Sequence, residues 1–146
     1  MNNATLNALF STRAGAGLSV IRILVGIIFI AHGAQKLFGM FGGYGLEGTG
    51  QWMESIGLAP GYLMALLSGS AEFFGGLALV IGLLVRPAAV ALIGLLVVAI
   101  FSVHIHNGLF MQNNGYEFAL ALLGGALAVL FEGAGRASLD AAIAKS

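Results

Sequence analysis

Residues 61–85 read GYLMALLSGSAEFFGGLALVIGLLV, a stretch in which Glu72 is the only charged side chain. As an α-helix this stretch extends for about 37 Å. The hydrocarbon core of a bilayer is about 30 Å thick, which about 20 apolar residues suffice to cross. The stretch therefore predicts a membrane-spanning helix. Its carboxylate lies near the middle, where a charge is costly, and an ionisable residue at that depth is by default a candidate for function.

The whole chain has the composition of a membrane protein. Of its 146 residues, 59% are hydrophobic and 8% are charged, and the formal net charge is zero. A soluble domain of this length needs more charge to cover its surface. The chain contains no cysteine, which excludes disulfides, thiolate metal sites and cysteine redox chemistry. It also has no basic run, which excludes nucleic acid as a partner.

Four apolar segments are candidates to cross the bilayer: residues 18–38, 61–85, 87–106 and 116–131. Lipid cannot satisfy exposed backbone groups, so each span should be helical, and short connections favour a compact bundle. The predicted fold is therefore all-α, a four-helix transmembrane bundle forming a single domain over residues 1–146. The last span is short and needs tilt or flanking residues. Pro87 suits the first turn of the third helix, which predicts a tight hairpin after the second.

The longest connection, residues 39–60, is glycine-rich and is predicted to be an external loop. Its segment from Gly43 to Gly48 has the spacing of a dinucleotide-binding fingerprint, but that motif requires a preceding β-strand, and here a membrane helix comes first. We therefore reject the match. Residues 51–57 carry Trp52 and neighbouring apolar side chains at helical spacing, which predicts a short interfacial helix anchored by Trp52 in the headgroup layer.

The distribution of positive charge predicts the orientation. With the N-terminus inside, the inner side holds five basic residues and the outer side holds only Lys36; the five are Arg13, Arg22, Arg86, Arg136 and Lys145. The positive-inside rule then places both termini in the cytoplasm. The first span has some features of a signal peptide, but the segment before it is long, and we expect it to be retained.

The first span contains an unusual number of polar and charged side chains for a helix in lipid. At about 100° per residue, Lys36 lies about 40° from both His32 and Arg22, so these three side chains share one face of the helix. Glu72 lies about 16 Å from the outer end of the second span and His32 about 9 Å from that of the first. His104 and Glu117 lie within one turn of the outer ends of the third and fourth spans.

These depths predict a polar pocket that opens outward, with Glu72 at its floor. Glu72 and His32 are the candidate catalytic residues, and the candidate ligand-binding residues are Lys36, His104, Glu117 and Arg22. No metal site is predicted: His104 and His106 point about 160° apart on a helix and cannot both bind one ion unless the helix ends between them. A simpler alternative for Glu72 is a hydrogen bond that ties the first two spans together.

Several segments at these positions carry a family resemblance: Arg22 to Gly26, His32 to Gly39, Ala71 to Gly76, Gly82 to Arg86, His104 to Gly108 and Gly133 to Asp140. Together they resemble the DoxX family of small bacterial membrane proteins. The resemblance implies a four-helix inner-membrane protein, often labelled an oxidoreductase or quinol-oxidase subunit, with relatives in thiosulfate:quinone oxidoreductases. The resemblance also implies that Arg22, His32, Lys36, Glu72 and Arg86, which lie at motif positions of the family, belong to its site or stabilise its fold.

Three classes of function follow. In the first, the protein is a redox subunit whose pocket binds a quinone headgroup, with His32 or His104 hydrogen-bonded to a carbonyl and Glu72 relaying a proton. The same two histidines could instead ligate haem iron or copper. The second class is a small transporter in which Glu72 binds a proton, a cation or another solute. The third is a non-catalytic anchor or assembly factor. The expected partners are the lipid bilayer, a redox-enzyme subunit and, in an oligomer, further copies of this chain.

Overall fold

The computed structural model describes residues 15–143, and every regular element within that range is helical. The helices are α1 Ala16–Phe38, α2 Gly45–Ser55, α3 Gly61–Ile81, α4 Val85–Ala99, α5 Glu117–Glu132 and α6 Leu139–Ile143. α4 continues through a π-helical turn, Ile100–His104, into a 3-10 turn, Ile105–Asn107. Further 3-10 turns lie at Met40–Gly42 and Met111–Asn113. The predicted all-α class is confirmed; Arg13 and Lys145 lie outside the described residues.

Within residues 15–143, three helices are long and apolar enough to cross a membrane: Ala16–Phe38, Gly61–Ile81 and Val85–Asn107. These match the first three predicted spans. The fourth, α5, has 16 residues and a helical length of about 24 Å. That is short of the ~30 Å hydrocarbon core, so length and composition identify three spanning helices rather than four.

The four long helices form a ring. α1 packs on α3 and α5, and α4 packs on the same two helices from the other side. α1 and α3 lie close together, since a Cβ on Gly26 would lie 2.8 Å from the carbonyl oxygen of Gly76. Glycines at this seam therefore bring the two backbones together, as small residues do in membrane bundles.

The glycine-rich connection is more ordered than predicted. The expected interfacial helix at residues 51–57 is instead α2, which begins at Gly45 and ends at Ser55. Gly50 is needed for packing, because a Cβ there would lie 2.9 Å from the Cα of Tyr62 in α3. Packing on α3 and α1 thus outweighs the low helix propensity of glycine.

The predicted tight hairpin between α3 and α4 is confirmed: α3 ends at Ile81, α4 begins at Val85, and Pro87 lies in the first turn. A segment distant in sequence completes it. Asp140 accepts hydrogen bonds from the backbone N–H groups of Leu84 and Val85, at 2.9 and 3.1 Å. This carboxylate satisfies N–H groups that every helix start leaves free, and so fastens the C-terminal segment to the hairpin.

Candidate functional site

Glu72 and Lys36 form an ion pair between α3 and α1. The Lys36 Nζ donates to Glu72 Oε1 at 2.7 Å. The two side chains reach each other because α1 lies very close to α3 at this level: a Cβ on Gly33 would lie 2.7 Å from the Cα of Phe73. Glu72 is therefore held by a helix seam rather than by a flexible loop.

The second carboxylate oxygen of Glu72 is the unusual feature of this pair. Glu72 is 5% exposed, and its Oε2 is buried without a hydrogen-bond partner anywhere in residues 15–143. A buried acceptor left unsatisfied costs free energy. Such an atom in a native structure needs an explanation, and an absent ligand or ordered water is one.

A cavity of about 540 Å³ lies beside this carboxylate. Helices α1 to α5 all contribute to its wall. Four of the six predicted candidate residues line it, namely Glu72, Lys36, His32 and His104. Most of the remaining wall is apolar, with Phe29, Met53, Leu67, Leu96, Val98 and Phe118 among its side chains. The cavity is thus an apolar chamber with a few polar groups, which is the usual make-up of a small-molecule site.

The two histidines of the cavity are held differently. His104 Nδ1 lies 2.8 Å from the backbone oxygen of Asn114. A carbonyl oxygen can only accept, so Nδ1–H donates, and in the neutral ring this leaves Nε2 as an acceptor. His104 ends the π-helical turn, a feature that often occurs at functional sites. His32 is exposed, and its ring lies 6.0 Å, centroid to centroid, from that of Phe118.

Arg22 does not line the cavity, although it shares a helical face with His32 and Lys36. It precedes Lys36 by about 21 Å along α1 and is fully buried at the other end of the bundle. There its guanidinium donates to the carbonyl oxygens of Leu79, Val80 and Ala137. The depth of Arg22 along α1 therefore separates it from the cavity, and its bonds join α1 to α3 and to the C-terminal segment.

Glu117 also lies outside the cavity wall. Its Oε1 accepts a hydrogen bond from the backbone N–H of Met111 at 2.7 Å. The carboxylate thus closes the loop that precedes α5 instead of reaching into the chamber. The expected pocket with Glu117 above Glu72 is corrected accordingly, and the turn at Met111–Asn113, which brings that N–H to Glu117, decides the difference.

The sequence pattern did not predict that α2 would help to form the cavity. Trp52 and Met53 both line it, whereas the helical spacing of Trp52 indicated only a headgroup anchor. Met53 is buried and Trp52 is 44% exposed. Trp52 and Lys36 also line a neighbouring cleft of about 440 Å³. These two side chains therefore stand between the chamber and that cleft.

Comparisons with known proteins agree with the resemblance noted in the sequence. The sequence profile of the DoxX family matches residues 17–105, a range that includes His32, Lys36, Glu72 and His104 of the cavity wall. "Inner membrane protein YqjF" of Escherichia coli (strain K12) is 34% identical over 130 residues, covering 85% of this chain and 89% of the relative. "Putative oxidoreductase CatD" of Bacillus subtilis (strain 168) is 36% identical over 106 residues, covering 73% and 72%. No solved structure matches the chain at a significant level.

Proposed function

The chain belongs to the DoxX family of membrane proteins, and on that premise we propose that it serves membrane redox chemistry, with a quinone headgroup bound in the cavity beside Glu72. A relative of similar length is named as an oxidoreductase. The observation that carries the proposal is that Glu72 lines an apolar chamber and keeps a buried Oε2 with no hydrogen-bond partner among residues 15–143. Quinone chemistry needs such a chamber together with groups that exchange protons.

The cavity fits a quinone headgroup in size and chemistry. Its volume of about 540 Å³ falls within the range of small-molecule sites, roughly 300–1,000 Å³. Lys36 and His32 supply hydrogen-bond donors for a carbonyl oxygen, and Glu72 supplies an acceptor that can take or release a proton. A bound quinone would supply reversible chemistry in which two electrons and two protons are gained together.

In this proposal each polar residue has a separate task. Lys36 neutralises and orients Glu72 through its Oε1, leaving Oε2 to exchange a proton with the ligand. His32 and His104 are the alternative groups that hold the ligand's far oxygen. The apolar wall keeps water from the headgroup. The electrons come from or pass to a partner of the redox-enzyme class, since the sequence contains no cysteine for thiol chemistry.

We also propose that α5 crosses the bilayer as a fourth helix and that both termini face the cytoplasm. Tilt and the flanking residues would complete the short span. The orientation is supported by the charge balance, because Arg86 and Arg136 lie at the same end of the bundle as Arg22, whereas Lys36 lies toward the other. The bilayer is then bacterial and inner, as the name of the Escherichia coli relative states for that protein.

The proposal is tested by replacing the proton-exchanging group. The protein is purified in lipid nanodiscs from its native membrane, and quinone is extracted with solvent and quantified per chain. Quinone-dependent electron transfer in the membranes is measured in parallel. The Glu72→Gln variant should lose electron transfer while remaining folded, whereas Glu47→Gln, at an exposed residue outside the cavity, should keep it. Equal activity in both variants, with no quinone extracted, would refute the proposal.

A transporter is the second reading, and the geometry is less favourable to it. The segment from Phe73 to Val85 in and after α3 has no polar side chain. Arg22, a buried polar group toward that end, donates to three backbone carbonyls. A flux assay in liposomes separates the two readings, since a redox subunit should move neither protons nor cations through the bilayer by itself.

A further inference from the structure

The cavity has two sides that face the lipid. Because α1 and α4 each pack on α3 and α5, the seam between α3 and α4 lies opposite the seam between α5 and α1. At the α5–α1 seam, the rings of His32 and Phe118 are in contact across the gap. At the α3–α4 seam, Leu67 and Val98 line the cavity and are nevertheless 55% and 49% exposed.

His32 and Phe118 also line the cavity and are exposed, so both seams combine lining with exposure, but the ring pair bridges the α5–α1 seam and leaves the α3–α4 seam as the opening. A side chain can border an internal chamber and the outer surface at once only where the wall between them is thin. The outer end of the chamber is covered by α2, with Met53 buried in it. The α3–α4 seam, bordered by apolar side chains from both helices, is therefore the passage suited to a molecule dissolved in lipid.

The polar chemistry inside specifies what such a molecule must carry. Lys36 occupies Glu72 Oε1, while Oε2 is buried and accepts no hydrogen bond from any residue of the described chain. A carboxylate oxygen accepts and does not donate. The missing partner is therefore a donor. A hydroxyl group satisfies this atom, whereas a ketone or an ether of the same shape leaves it unsatisfied.

We propose that the cavity admits, from the bilayer and between α3 and α4, an apolar molecule whose hydroxyl group donates a hydrogen bond to Glu72 Oε2. The inference rests on the proposed function in treating the cavity as a ligand site. It adds the route of entry and the form of the ligand. Of a redox pair, the site selects the reduced member, which carries the hydroxyl.

The single tryptophan of the sequence gives a direct readout. Trp52 lines the cavity, so a heavy-atom quencher inside the chamber should reduce its fluorescence. The probes are 4-bromophenol and 4-bromoanisole, which differ in that only the phenol has an O–H to donate. Both are titrated into the full chain in phosphatidylcholine–phosphatidylglycerol nanodiscs, and comparison between variants cancels their different partitioning into lipid.

A hydrogen bond to a charged acceptor should favour the phenol by about tenfold or more in apparent Kd. The Glu72→Leu variant should lose this preference, and Glu47→Gln should keep it. If Glu72→Leu leaves Lys36 without its partner and does not fold, the double variant Lys36→Met with Glu72→Leu removes both charges and gives the same comparison. Equal affinity for the two probes in the natural sequence, or a preference that survives without Glu72, would overturn the inference.

The route of entry is tested with neighbouring valines of α4. Val97 and Val98 are 40% and 49% exposed, but of the two only Val98 lines the cavity. Because the sequence has no cysteine, single Val97→Cys and Val98→Cys variants can be labelled after purification with benzyl methanethiosulfonate. Labelling at Val98→Cys should slow quenching by 4-bromophenol severalfold in stopped flow, and labelling at Val97→Cys should not.

Equal rates for the two labelled variants would refute the lateral route. These outcomes are separate from those of the quinone test. A phenol preference that depends on Glu72, without any extracted quinone, would retain the hydroxyl site and remove the quinone. Extracted quinone, with no discrimination between phenol and ether, would retain the proposed function and remove the inference.

Discussion

Replacing Lys36 by methionine should destabilise the protein by leaving Glu72 buried without its counter-charge. The two charged atoms are 2.7 Å apart, and the side chains are 24% and 6% exposed for Lys36 and Glu72. Breaking a fully buried pair costs about 3–5 kcal/mol. Because the lysine is partly exposed and solvent screens it, we expect about 2–3 kcal/mol for Lys36→Met.

The double variant Lys36→Met with Glu72→Leu should recover most of that stability. Replacing both members of a buried ion pair by apolar groups is often neutral or stabilising, so its cost should stay below about 1 kcal/mol. The assay is equilibrium unfolding in mixed micelles of a mild detergent and dodecyl sulfate, followed by far-UV circular dichroism. A Lys36→Met variant as stable as the natural sequence would refute the reasoning, as would a double variant showing the sum of the single losses.

Three further predictions concern the frame around the site and its occupant. Asp140→Ala removes the acceptor for two N–H groups at the start of α4 and should cost about 1–2 kcal/mol, measured by the same unfolding. Gly33→Ala should push α1 from α3, since its Cβ would lie 2.7 Å from the Cα of Phe73; Gly94→Ala, with no neighbouring atom within 4 Å in residues 15–143, should be neutral or slightly stabilising. A visible spectrum of the purified protein should show no haem or copper bands; a Soret band or bound copper would instead assign the two cavity histidines as ligands.

Much of the fold follows from local pattern. Apolar runs of about 20 residues predict membrane helices because the bilayer imposes their length and satisfies no backbone group. The spanning segments Ala16–Phe38, Gly61–Ile81 and Val85–Asn107 accordingly lie close to those predicted. The glycine-rich stretch before Trp52 was predicted to be a loop, but α2 begins at Gly45. Packing on α1 and α3 stabilises this helix, and such contacts cannot be predicted from the local sequence.

For the polar residues of the candidate site, the position of each along its helix was predictable, but the groups that it contacts were not. Glu72 and His104 both line one cavity. Arg22 and Glu117 lie elsewhere, since each bonds to backbone brought near by other segments. The partner of each polar side chain depends on which helices are adjacent, and adjacency is a property of the assembled bundle.

The sequence by itself determined that the chain is helical, that it resides in a membrane and that a carboxylate lies within an apolar span. These features depend on composition and on the helical repeat, which are local. The tertiary structure alone decided that Lys36 takes one oxygen of Glu72, that the other is buried with no hydrogen-bond partner in residues 15–143, and that α2 lines the chamber beside them. The physical reason is packing. Glycine contacts set how closely α1 approaches α3, and that distance lets the Lys36 Nζ reach Glu72 Oε1 but not Oε2.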